Sequence, residues 1–126
     1  MLAKADFPSG LTKLGRTIRD YLEQCVELCF AAAKACVANG TLAADLTARL
    51  ARCSRTCLDC AQACAAACSE TAAAIDDAVL QRALRACVAA CRDAARLLKQ
   101  QRKAPDCRQV LNRCADQCEA MAQAIA

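Results

Sequence analysis

Apolar residues recur through most of this chain at separations of three, four and seven. Leu11, Leu14, Ile18 and Leu22 form one such stripe, and Leu42, Leu46 and Leu50 a second. Leu80, Leu84 and Leu98 form a third, and Leu111, Met121 and Ile125 a fourth. These separations keep side chains on one face of an α-helix. Charged and polar residues fill the positions between, so the pattern predicts four amphipathic helices.

Local punctuation sets the predicted bounds. The first helix covers residues 11–37, starting after Ser9 or Gly10 and stopping at Asn39-Gly40, a pair that tolerates the left-handed conformation of a helix end. Thr41 can cap a second helix over 42–70, whose boundary in the 69–74 stretch is the least marked. Asp76 and Asp77 suit the positive N-terminal end of a third helix that reaches residue 101. Pro105 suits the first turn of a fourth, where proline forfeits no helical hydrogen bond, and that helix runs to residue 126. Short connections between four helices give an all-α, antiparallel up-down-up-down four-helix bundle. Residues 1–10 read as an N-terminal extension and 11–126 as one domain.

The same stripes carry thirteen cysteines: Cys25, Cys29, Cys36, Cys53, Cys57, Cys60, Cys64, Cys68, Cys87, Cys91, Cys107, Cys114 and Cys118. At about 100° per residue, the five in the second helix span an arc of roughly 80°, and those of each other helix about 40°. They therefore lie on the core stripe. Folding the chain back at each turn places Cys25, Cys29, Cys53, Cys57, Cys60, Cys87, Cys91, Cys114 and Cys118 in a middle band. Cys36 and Cys107 fall toward the end holding the first and third turns, Cys64 and Cys68 toward the other. The expectation is a thiol-lined tube along the bundle axis.

Composition narrows the chemistry. The chain has no Trp, two Phe and one Tyr, so small Ala and Cys side chains must occupy space that Leu usually fills. Protonated cysteine is a small, apolar, readily buried residue, and a metal-free bundle can fold around it. The net charge of +4 is dispersed over Arg, Lys, Asp and Glu, with no basic block or aromatic interleaving of the kind that binds nucleic acid. No run approaches the roughly twenty apolar residues of a membrane span. The N-terminal residues lack an apolar signal core and a twin-arginine pair, so the expected location is the cytoplasm. Thiols stay reduced there, and an odd number of cysteines is a poor basis for a disulfide scaffold.

A single cysteine on an apolar helix face is usually a packing residue; thirteen in register are a ligand array. There is no histidine, and no acid or base partner for an activated nucleophile, so no catalytic grouping is present. Thiolates without imidazole select a soft ion, first of all Cu(I), which accepts two or three sulfurs and lets a sulfur bridge two ions. Buried thiolates are costly unless neutralised, and each Cu(I) that replaces a proton restores neutrality, so the natural filling is roughly one ion per cysteine. Met121 reads as packing. Two alternatives use the same residues. One is a thiol-based redox sensor; the other is a metallothionein-like zinc buffer, although zinc prefers closed four-ligand sites and Cys57/Cys60 is the one Cys-x-x-Cys pair.

The chain resembles the bacterial copper storage proteins over residues 11–126. The resemblance rests on Cys25-x3-Cys29, on the run Cys53-Ser54-Arg55-Thr56-Cys57-Leu58-Asp59-Cys60-Ala61-Gln62-Ala63-Cys64-Ala65-Ala66-Ala67-Cys68, on Cys87-x3-Cys91, and on Cys107-x6-Cys114-x3-Cys118. It implies a bundle that stores many Cu(I) ions on nearly all its core cysteines, assembles as a homotetramer, and belongs to the cytosolic type. Members often carry His or Met where copper is admitted; this chain offers only Met121 in the body of the bundle.

Overall fold

The computed structural model describes residues 18–38, 42–68 and 76–125. They form four helices: α1 (Ile18–Val37), α2 (Ala44–Cys68), α3 (Asp77–Gln100) and α4 (Pro105–Ala124). Helix α1 packs on α2 and α4, and α3 packs on α2 and α4, which closes a four-sided antiparallel bundle. The expected architecture is observed. The predicted positions 11–17, the turn at 39–41 and the boundary at 69–75 lie outside the described residues.

Helix ends follow local chemistry. Helix α2 begins two residues later than the pattern predicts, because the Ala43 carbonyl takes the first helical bond, from the Thr47 amide at 2.9 Å. Asp76 is the N-cap of α3; its carboxylate accepts from the Ala78 amide at 3.0 Å, satisfying an amide that the helix leaves unpaired. Pro105 occupies the first turn of α4, as its sequence position predicts. Helix α3 ends one residue before the expected 101 and closes with the Lys103 amide on the Leu98 carbonyl at 2.9 Å and the Arg102 amide on the Lys99 carbonyl at 3.1 Å. This is the paired closure of a Schellman motif. Arg102 stands at φ 55° in the position that glycine normally takes, and Ala104 at φ 46° follows it.

The core is built in zones. Fully buried Leu22, Leu80, Leu84 and Met121 fill the end where α1 and α3 begin. Leu46, Leu50, Leu98 and Leu111 fill the opposite end. Cysteines occupy the length between and reach into both ends, Cys64 and Cys68 at the first and Cys36 and Cys107 at the second. Of the expected aliphatic stripe, Leu42 and Ile125 are only partly buried, Leu11 and Leu14 lie outside the described residues, and the side chain of Ile18 is not described. Small side chains bring the backbones of α1 and α2 together: Ala32, Ala33 and Ala61 are buried, and the Ser54 hydroxyl donates to the Ala33 carbonyl at 3.0 Å. Satisfied this way, a buried hydroxyl costs little. Arg49–Asp93 links α2 to α3, and Arg92 meets Asp116 and Glu119 across α3 and α4, each at 3.3 Å. All are solvent-exposed pairs, which contribute modestly.

A left-handed conformation costs a residue with a Cβ about 1–2 kcal/mol, part of which glycine returns as extra freedom in the unfolded chain. Arg102→Gly is therefore expected to stabilise the metal-free bundle by about 1 kcal/mol, raising Tm by a few degrees in a thermal melt followed by circular dichroism. An unchanged or lower Tm contradicts the assigned closure of α3.

Candidate metal centre

Helical spacing delivers the sulfurs inward, and the antiparallel arrangement decides which of them meet. Each of Cys25, Cys29, Cys57, Cys60, Cys64, Cys87, Cys91, Cys114 and Cys118 has no solvent exposure. Cys36, Cys53 and Cys107 are buried at 4 %, 3 % and 5 % exposure, and Cys68 is half-buried. All thirteen are free thiols.

Two groups of four dominate the middle. Cys29, Cys60, Cys87 and Cys118 have sulfurs within 4.8 Å of one another, and so do Cys57, Cys87, Cys91 and Cys114. Cys87 belongs to both. Within these groups Cys57–Cys91 is 3.5 Å, Cys29–Cys118 3.6 Å and Cys87–Cys114 3.7 Å, and Cys29–Cys114 joins one group to the other at 3.8 Å. Cys87 lies 3.9 Å from each of Cys29, Cys57 and Cys91, and Cys60–Cys118 closes at 4.0 Å. With a metal–sulfur bond of about 2.3 Å, two sulfurs on one ion stand at most about 4.6 Å apart. The thiols are therefore already spaced to share ions.

The array continues beyond the two groups in both directions. Cys53 interacts with Cys57 and Cys91, and then with Cys36, which also meets Cys107. Toward the other end, Cys25 meets Cys118 and Cys64, and Cys64 meets Cys60. Cys25 also donates to the main-chain carbonyl of Gln117 at 3.9 Å. Cys68 comes last, near Glu23 and Arg19. The sequence placed Cys25 and Cys53 in the middle band; the structure moves them one layer outward in opposite directions. Antiparallel α1 and α2 carry Cys25 down and Cys53 up from the level where Cys29 and Cys57 lie.

Proton chemistry binds the array into one unit. Hydrogen bonds with Cys114, Cys118, Cys60 and Cys87, then burial, push the Cys29 thiol far up. Cys91 is pushed up by Cys114, Cys53, Cys57 and Cys87, again reinforced by burial. Cys25, Cys36, Cys57 and Cys60 are raised in the same way, the largest cause being the thiol beside each: Cys118, Cys107, Cys114 and Cys118 respectively. Cys87 moves down because its thiolate is stabilised by hydrogen bonding with the thiols around it, Cys114 first and then Cys118, Cys29 and Cys57. Cys53, Cys64 and Cys118 move down on the same principle, led by Cys36, Cys25 and Cys114. Protons are thus shared along the line, and their loss belongs to the array and not to one residue.

Sharing of Cys87 narrows the ways in which metal can be held. A closed tetrahedral zinc site consumes four thiolates, so both groups cannot be independent zinc sites, and six cysteines would remain unused. A soft monovalent ion held by two or three sulfurs, with bridging allowed, uses the same geometry without conflict. The donors are exclusively sulfur, which fits Cu(I). Fold and site together define a four-helix bundle that binds metal through a thiol-lined core.

A protein-family model described as "Copper storage protein" matches residues 12–124, and the chain belongs to that family. The family is non-enzymatic and holds Cu(I) as stored cargo, which is the function of this chain. No curated protein and no solved structure matches the chain. Among the described residues no helix is long and apolar enough to cross a membrane.

The raised thiols have a pH consequence. Unfolded-chain cysteines ionise around pH 8.5, whereas a thiol raised in the folded state keeps its proton above that pH. The folded state then binds more protons, so its advantage is present below that pH and is lost as pH rises. Thiols that are lowered are ionised in both states above about pH 8.5 and add no slope there. The Tm of reduced apo-protein is expected to fall between about pH 8.5 and pH 10, while copper-loaded protein, its protons already displaced, shows a smaller fall. Equal slopes for the two forms contradict the shared-proton array.

Proposed function

We propose that the chain is a cytoplasmic Cu(I) reservoir that loads along the whole sulfur line. In this reading residues 11–126 are one storage domain, and Cys25, Cys29, Cys36, Cys53, Cys57, Cys60, Cys64, Cys68, Cys87, Cys91, Cys107, Cys114 and Cys118 all serve as ligands. Capacity is about one ion per cysteine, because each Cu(I) that replaces a thiol proton leaves the buried charge balanced. The observation that carries the reading is the sharing of Cys87 between two four-sulfur groups, with further thiols adjoining both groups. Such a line has no natural place to stop after one site. A reducing compartment suits a store whose ligands are free thiols.

Anaerobic titration of reduced apo-protein with Cu(I) against a chromogenic chelator tests this. Chelator colour is expected to develop only after about thirteen equivalents have been taken up, with the helical circular dichroism present before metal is added. A plateau at one or two equivalents contradicts storage and favours a thiol sensor; zinc that displaces bound Cu(I) favours the zinc buffer.

The homotetramer implied by the resemblance is supported by Phe30 and Val37. They lie one heptad apart on α1 and remain 50 % and 65 % exposed. Apolar groups so placed favour burial against another surface. Light scattering is expected to give a tetramer mass for the parent protein and a lower mass for Phe30→Glu; an unchanged mass removes this face from the interface.

A further inference from the structure

A line of buried ligands needs a way in, and two thiols come nearest a surface: Cys68, half-buried at one end, and Cys53, which lines a groove on the side. Leu22, Leu80, Leu84 and Met121 are buried at one end and Leu46, Leu50, Leu98 and Leu111 at the other. The side of the bundle is different. Between α2 and α3 lies a groove of about 160 Å³ whose floor includes Cys53. Its far wall is made of Ala90 and Ala94, whose small side chains leave the seam open. Cys53 is buried at 3 % exposure, and its inner neighbours are Cys57 and Cys91, two members of the second four-sulfur group. Cys53 is thus a sulfur with one side on a surface groove and the other on the core.

The rim of that groove is basic. Arg49 and Arg52 line it beside Asp93, and Arg96 pairs with the same Asp93 that Arg49 meets at 3.3 Å. Arg49 and Arg96 both meet Asp93, and Arg52 lines the same groove, so three guanidiniums against one carboxylate leave the rim net positive. A bare cuprous cation gains nothing from such a rim, whereas an anionic complex is attracted to it. The groove volume suits one arm of a small ligand and not a folded protein partner.

We infer that the α2–α3 seam is a lateral portal, at which an anionic Cu(I) complex of a small carboxylate-bearing thiol docks on Arg49 and Arg52 and hands its ion to Cys53. The inference rests on the storage reading and adds a donor class and an acceptor residue to it. The transfer is a ligand exchange without redox change. A bond forms between the Cys53 sulfur and Cu(I), one bond between Cu(I) and the donor sulfur breaks, and the Cys53 proton leaves on the departing small thiol. A second exchange, with Cys57 or Cys91 as incoming sulfur, releases the other small thiol in the same manner and passes the ion into the shared group.

Stopped-flow loading of reduced full-length apo-protein tests this with two donors, Cu(I)–glutathione as the anionic complex and the tetrakis(acetonitrile)copper(I) cation. The Arg49→Glu/Arg52→Glu variant is expected to load at least about tenfold more slowly from the anionic donor at low ionic strength, and no more slowly from the cation. Asp93→Asn, which removes the negative rim charge, is expected to load faster from the anionic donor. Ala90→Phe, which fills the groove, is expected to slow both donors, with apo circular dichroism showing that the bundle is intact. Final copper content stays at the parent value in all three. Parent-like rates for the arginine variant with both donors overturn the portal, as does slowing by Cys68→Ser with none by Cys53→Ser, which would place admission at the far end. A parent protein that takes up only one or two ions overturns the storage reading itself, a result distinguishable from either by its end point and not its rate.

Discussion

Everything in this molecule depends on the double character of a buried thiol. Protonated, it is an apolar group of small volume that fills a core. Ionised, it is a charge that the same core cannot hold alone. Nine of the cysteines have no exposure at all, so the bundle holds them as thiols, as thiolates hydrogen-bonded by neighbouring thiols, or as metal thiolates. Copper and proton are therefore competitors for one set of sulfurs, and the fold persists whichever wins.

The remaining features serve that exchange. Cysteine contributes less apolar surface than leucine, and the metal-binding zone gives up hydrophobic stabilisation for capacity. Compensation comes from the ends, where fully buried leucines and Met121 concentrate. It also comes from alanine-lined seams such as Ala32, Ala33 and Ala61, where close backbones and the Ser54–Ala33 hydrogen bond hold the helices in register. Register matters because the 3.5–4.0 Å sulfur separations arise only if four helices keep their relative heights.

Most of the architecture was legible because the signals are local. Spacings of three, four and seven marked the helices, and Asp76 and Pro105 marked two of their starts, as observed. Much of the ordering of cysteines along the axis was legible from chain reversal, although Cys25 and Cys53 lie one layer further out than it placed them. Other features were not. Sharing of Cys87 between two groups depends on how far α3 projects toward α1, which no spacing encodes. Arg102 as the left-handed residue ending α3 carries no glycine to announce it. Ser54 reads as one more polar residue in a cysteine run, and its burial against Ala33 appears only when α1 and α2 are docked. The groove at Cys53 likewise exists because Ala90 and Ala94 of α3 face it, a relation between helices and not along one.

The central claim is that the thiols form one continuous ligand line. Anomalous diffraction at the copper edge, on crystals of fully loaded protein, tests it most directly. The account predicts a row of copper peaks running along the bundle axis, from the Cys36/Cys107 level through the Cys87-centred groups to Cys25 and Cys64, each within bonding distance of two or three sulfurs. One or two isolated peaks, with the outer thiols unligated at saturating copper, would contradict it.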